Sequence, residues 1–154
     1  MNYYLSLGSN LGEREENITR ALDMITKRIG NITCQSAFYY TEPWGFNSIN
    51  GFVNICAVVN TNILPNEMLA ITEKIEKELG RLTKSNGIYS DRIIDIDIIF
   101  AENLVVDNDN LKIPHPLMSQ RLFVLEPLNE IAPDIIHPLF NKTVSELLNE
   151  LKNR

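Results

Sequence analysis

The chain has 154 residues, 44% of them hydrophobic and 22% charged, with a formal net charge of −6. That length suits one domain, expected over residues 1–154, with a core that needs no disulfide or metal staple. The acidic balance excludes the basic surfaces that grip nucleic acid or anionic membranes, and no run reaches the roughly 18 apolar residues of a membrane span.

The opening Met1-Asn-Tyr-Tyr-Leu-Ser-Leu-Gly8 has no basic region or long apolar run, so no signal peptide is expected. Cys34 and Cys56 sit in apolar, strand-like contexts without metal-ligand spacing. They read as reduced core residues of a cytoplasmic protein. Residues 3–7 form a first short strand, ending in the loop Gly8-Ser-Asn-Leu-Gly12. A helix is expected over 13–29, with Ile18, Ala21, Leu22, Ile25 and Ile29 at amphipathic spacing and Gly30 as its stop. Residues 32–40 read as a strand, 41–51 as a loop and 52–60 as the next strand. Pro65 opens a second helix that runs to Gly80 and turns Met68, Ile71, Ile75 and Leu79 inward.

Residues 82–91 are polar, contain Gly87 and read as a mobile loop. The next strand is Arg92-Ile-Ile-Asp95-Ile-Asp97-Ile-Ile-Phe100. Period-two alternation puts Ile94, Ile96, Ile98 and Phe100 on a core face and Asp95 and Asp97 together on the other. Short strands at 104–106 and 111–113 flank a turn at 107–110. A last helix starts at Thr143 with Glu146 as capping-box partner and Val144, Leu147, Leu148 and Leu151 as its apolar stripe. The order βαββαβ predicts an α+β fold: a ferredoxin-like sandwich with helices on one face of an antiparallel sheet, followed by a C-terminal extension.

Four places carry chemistry. Two like charges side by side are costly unless a cation lies between them, so Asp95 and Asp97 are candidate ligands for Mg²⁺, which takes hard oxygens and leaves room for phosphates. The alternative is a solvated or ion-paired strand face. Arg81, Lys84, Arg92 and Arg121 could clamp a polyphosphate, or each could be an ordinary surface charge. Phe52 and Asn54 share a strand face after the loop Thr41-Glu-Pro43-Trp44-Gly45, pairing a stacking ring with an amide suited to a flat heterocycle; the alternative is a packed ring beside a core Asn. His115 is framed by Pro114 and Pro116, close before Arg121 and Phe123. It could bond a phosphate or carry a proton, or simply finish a turn, as His137 before Pro138 is expected to do. There is no Walker loop and no Gly-x-Gly-x-x-Gly, so a nucleotide would be held by side chains and metal.

In order along the chain, Leu7-Gly-Ser-Asn-Leu-Gly12, Tyr40-Thr-Glu-Pro-Trp-Gly45, Phe52-Val-Asn54, Arg92-x-x-Asp-Ile-Asp97, Pro114-His115, Arg121-x-Phe123 and Pro127-Leu-x-Glu-Ile-Ala-Pro133 resemble the 6-hydroxymethyl-7,8-dihydropterin pyrophosphokinases. The resemblance implies pyrophosphoryl transfer from ATP to the pterin hydroxymethyl, with release of AMP, in folate biosynthesis. It implies two Mg²⁺ ions on Asp95 and Asp97, and Arg92 and Arg81 among the catalytic residues. The pterin would lie between Phe52 and Phe123, read by Asn54, Thr41 and the backbone of Pro43-Trp44-Gly45. ATP would meet Glu76, Lys84, Arg92, Ile98, His115 and Arg121, in an enzyme expected to be a monomer. The chain departs from the family pattern at Ser90-Asp91, where Gly-Pro is usual, and at Thr83, where arginine is common. Two rivals share parts of this pattern: a palm-type polymerase or cyclase would also want paired aspartates, and a non-catalytic module of the same fold would want no metal-dependent ATP binding.

Overall fold

The computed structural model describes residues 1–41, 51–80 and 93–154. Strand β1 (Asn2–Ser9) leads into helix α1 (Arg14–Arg28), then β2 (Asn31–Gln35), β3 (Tyr39–Thr41) and β4 (Phe52–Asn60). Helix α2 (Pro65–Glu78) precedes β5 (Asp95–Ala101), and a small hairpin follows, β6 (Val106–Asp107) with β7 (Lys112–Ile113). A 3₁₀ turn (Met118–Gln120) leads into α3 (Leu122–Ile131) and finally α4 (Val144–Lys152).

The main sheet runs β2-β4-β1-β5, all pairs antiparallel, with β3 continuing beside β4 on the same edge as β2. This is the ferredoxin-like order expected for βαββαβ. The α1 stripe Ile18, Ala21, Leu22 and Ile25 and the α2 residues Met68 and Ile75 bury one sheet face, made of Leu5, Leu7, Val53, Ile55, Ile94, Ile96 and Ile98. Pro65 opens α2 as expected. Just past that helix Gly80 adopts φ +118, a conformation that L side chains rarely take.

Four expectations need correction. Helices cover both sheet faces: α3 and α4 bury the second, through Val124, Leu125, Leu128, Val144, Leu147 and Leu148 against Tyr4, Cys56 and Val58. Phe100 belongs to this second face and lies edge-on to Tyr4. The β1–β5 register shifts between Tyr4 and Leu5, so that Tyr4 opposes Phe100 while Leu5 opposes Ile98. Ile99 is the extra residue, and such a bulge turns the side chains after it to the other face. Cys34 is exposed, and only Cys56 is buried, where burial pushes its thiol pKa up.

The fourth correction is the single strand expected at 32–40, which is broken into β2 and β3. At the break Ser36 N–H donates to Cys56 O, and Ser36 Oγ accepts from Cys56 N–H. Helix α3 was not anticipated at all, and Pro127 lies inside it. The hairpin around 107–110 and the α4 capping box form as expected, with Thr143 Oγ1 accepting from Glu146 N–H and Glu146 Oε1 from Thr143 N–H.

Candidate functional site

The sheet register assembles the site. Tyr39 pairs with Asn54, Asn54 with Gly8 and Gly8 with Asp95, forming one row across β3, β4, β1 and β5. Paired residues project to the same side of a sheet. The next row along places Cys56, Ser6 and Asp97 side by side. Ile94, Ile96 and Ile98 are buried on the α1–α2 face, so alternation turns Asp95 and Asp97 to the α3 face, as the spacing predicts. Both aspartates are half-buried. They lie where Gly8 and Ser6, rather than large side chains, occupy the neighbouring strand.

Gly8 is needed by its neighbours. A Cβ built there would lie 2.5 Å from Asn54 Oδ1, with Phe52 Cδ1 at 3.8 Å. The Asn54 amide therefore rests over the bare backbone of Gly8. Asn54 is 4% exposed, and its Nδ2 is buried without a hydrogen-bond partner among the described residues. An unpaired buried N–H costs on the order of 1–3 kcal/mol unless something supplies an acceptor. Phe52, two residues earlier on the same face, is half-buried, and Thr41 lies opposite it at the end of β3. Ring, amide and carboxylates thus share one end of one sheet face.

The strand carrying the aspartates lies at the edge of the main sheet. Its outward Ile96 N–H, midway between Asp95 and Asp97, donates to Glu76 Oε2 at 2.7 Å. Glu76 is 3% exposed, so α2 holds the carboxylate strand through a buried side chain. Ile98 is also buried, in the α1–α2 core. Neither side chain opens onto a surface among the described residues.

His115 N–H donates to Ile99 O at 3.0 Å and so fastens the β7–α3 connection to β5. Its Nδ1 accepts from Leu117 N–H at 3.2 Å, which leaves Nε2 as the protonated nitrogen of the neutral ring. Arg121 caps the start of α3, its guanidinium 5.5 Å from the centroid of the half-buried Phe123 ring. His137 finishes a turn, as expected. It is 2% exposed, Nδ1 accepts from Leu139 and Phe140 N–H, and the ring stacks on Phe140 at 4.1 Å. Burial lowers its pKa.

The expected roles of Pro43, Trp44, Arg81, Lys84 and Arg92, the Ser90-Asp91 departure and the mobile 82–91 loop lie outside the described residues. Two contributors were not anticipated. Arg14 donates from Nη1 to Gly51 O at 2.8 Å and ties α1 to the start of β4. Glu130 accepts from the Tyr39 hydroxyl at 2.7 Å and from Ala37 N–H at 3.1 and 3.2 Å. Its hydrogen bond is the main cause of a Tyr39 pKa pushed up to about 12. Glu130 was visible only as a letter within Pro127-Leu-x-Glu-Ile-Ala-Pro133, with no partner to read.

Among the described residues no three His, Cys, Asp or Glu side chains gather around one point. Asp95 and Asp97 nevertheless fit Mg²⁺: they are two hard, half-exposed oxygen donors on one face, and this ion keeps its remaining positions for water and phosphate.

The fold is that of the crystal structure of Plasmodium falciparum HPPK-DHPS wild type with pteroate, with a TM-score of 0.80 over 99% of this chain and 42% of that one at 20% identity. Residues 4–133 match the model of the 7,8-dihydro-6-hydroxymethylpterin-pyrophosphokinase (HPPK) family, and the chain belongs to that family. It is 47% identical over 137 residues to the 2-amino-4-hydroxy-6-hydroxymethyldihydropteridine pyrophosphokinase of Porphyromonas gingivalis, covering 88% of this chain and 92% of the relative. The enzyme of the same name from Aquifex aeolicus is 37% identical over 147 residues, 96% of this chain and 90% of the relative.

Proposed function

We propose that this protein transfers the pyrophosphoryl group of ATP to the hydroxymethyl oxygen of 6-hydroxymethyl-7,8-dihydropterin, releasing AMP, as a step of folate biosynthesis. The observation that carries the reading is the row Asn54–Gly8–Asp95, which sets a buried amide N–H lacking an acceptor among the described residues beside the carboxylate pair. A pterin edge offers acceptors and donors to match an amide, and its flat ring suits stacking between Phe52 and Phe123. Thr41 and the Pro43-Trp44-Gly45 backbone complete the pterin side by family resemblance.

Asp95 and Asp97 would hold Mg²⁺, two ions by the same resemblance; bound there, the metal would offset phosphate charge and lower the pKa of the attacking hydroxyl. The rest of the work is positioning, which is most of what a phosphoryl-type transfer asks of a protein. Glu76 keeps the carboxylate strand in register through Ile96. His115, fixed by Ile99 O and Leu117 N–H, is assigned to a phosphate oxygen by the same resemblance. Arg121 brings a guanidinium fork from the ring face of Phe123. Arg81, Lys84 and Arg92 are assigned to the polyphosphate by resemblance, and Ile98 supports the ATP side from within the core. A monomer is expected by the same resemblance, and no described helix is long and apolar enough to cross a membrane.

The test is a turnover assay with ATP, Mg²⁺ and the dihydropterin. AMP must accumulate only when the pterin is present. ADP in its place would identify a different transfer.

A further inference from the structure

Glu130 lies at the far end of α3 from Phe123, seven residues on. Two helical turns separate them, so both fall on the same side of the helix, about 10 Å apart along its axis. Helix α3 packs on β4 and β3, with Phe123 half-buried and Glu130 exposed at its end. The Glu130 carboxylate takes up the Ala37 N–H, which lies in the gap between β2 and β3, and also accepts from the Tyr39 hydroxyl. Tyr39 is the direct cross-strand neighbour of Asn54. One carboxylate therefore joins the helix that carries Phe123 to the strand row that carries Asn54, with Phe52 two residues away.

We propose that Glu130 is a positioning residue for the pterin site, setting the spacing between the Phe123 ring and the Phe52–Asn54 strand. The proposal rests on the pterin reading above. The carboxylate takes two donors, the Tyr39 hydroxyl at 2.7 Å and the Ala37 N–H shared between its oxygens at 3.1 and 3.2 Å, so both oxygens are held. The site is specific in what it can affect. Asp95, Asp97 and Glu76 are held on β5 and α2, at the opposite edge of the main sheet. Loosening α3 from β3 changes the distance a flat ring must bridge and leaves the carboxylate strand in place. Arg14, bonded to Gly51 O from α1 on the other sheet face, acts at the start of β4.

The experiment is calorimetric titration of wild type, Glu130→Ala, Glu130→Gln and Tyr39→Phe with 6-hydroxymethyl-7,8-dihydropterin in the presence of Mg²⁺ and a saturating non-hydrolysable ATP analogue, and separately with Mg²⁺ and the analogue alone. Glu130→Ala is expected to raise the pterin Kd by about tenfold or more, with a clearly smaller rise in the ATP-analogue Kd transmitted through Arg121 at the start of α3. Glu130→Gln, which keeps an acceptor oxygen, should recover most of the loss, and Tyr39→Phe should fall between. Unchanged pterin affinity in a folded Glu130→Ala, or equal losses for both ligands, overturns the proposal. If Glu130→Ala does not fold, Tyr39→Phe and Glu130→Gln decide it by the same split between ligands. Wild-type protein that binds no dihydropterin at all would refute the functional reading itself.

Discussion

Gly8 and Asn54 sit opposite each other on β1 and β4, and a Cβ on Gly8 would come within 2.5 Å of Asn54 Oδ1. The amide thus owes its place to a missing side chain. Gly8→Ala should push the Asn54 amide from the strand and weaken dihydropterin binding by about tenfold or more, since a shift of a fraction of an ångström misaligns hydrogen bonds. ATP-analogue affinity should move much less. A pterin Kd equal to wild type by titration would contradict this use of the glycine.

The two aspartates are half-buried on the open end of the same face. Asp95→Asn and Asp97→Asn keep shape and remove charge, so they should spare the fold. Each should slow AMP formation by about a hundredfold or more, the scale seen when a preorganised electrostatic group is removed from a reaction site. Steady-state rates over a Mg²⁺ titration, beside thermal melts, check this. Two variants as fast as wild type would move the metal site elsewhere.

Glu76 is buried and holds Ile96 N–H, between the aspartates. Glu76→Leu leaves that N–H unpaired and should cost about 1–3 kcal/mol of stability. It should also lower kcat, because the strand that carries both carboxylates loses its anchor. Glu76→Gln retains an acceptor oxygen and should restore much of both. A Leu variant with wild-type kcat would show that β5 needs no such support.

His137 gives the fold a pH dependence of known sign. Burial lowers its pKa below the ordinary 6.5, so the folded state favours the neutral ring. Between the two values the unfolded chain binds more protons, and stability rises with pH. The contribution is fully present above 6.5 and is lost as pH falls below it. Melting temperature should drop from pH 7.5 to 5.5, and the drop should shrink in His137→Asn, which is less stable at both. An unaltered drop in the variant would assign the effect to other groups.

Much of this arrangement is legible in the sequence, for reasons that stay local. Alternation through Ile94, Ile96 and Ile98 puts Asp95 and Asp97 on one face, and the spacing of Phe52 and Asn54 does the same on β4. What escapes is set by partners distant in the chain. The bulge at Ile99 moves Phe100 to the other face, because register depends on β1 and leaves no mark in an isoleucine run. Helix α3 hides behind Pro127, which on propensity alone argues against a helix. Packing on β4 and Tyr4 outweighs that. Glu130 could not be read as a clamp, since its partners lie 91 and 93 residues away.

The most direct test is to follow the β-phosphate of ATP. Wild-type protein is incubated with β-labelled ATP, Mg²⁺ and 6-hydroxymethyl-7,8-dihydropterin, and the products are separated. Transfer of the pyrophosphoryl group carries the β label onto the pterin, with AMP formed in equal amount. Label retained in ADP, or released as inorganic pyrophosphate, would contradict the account.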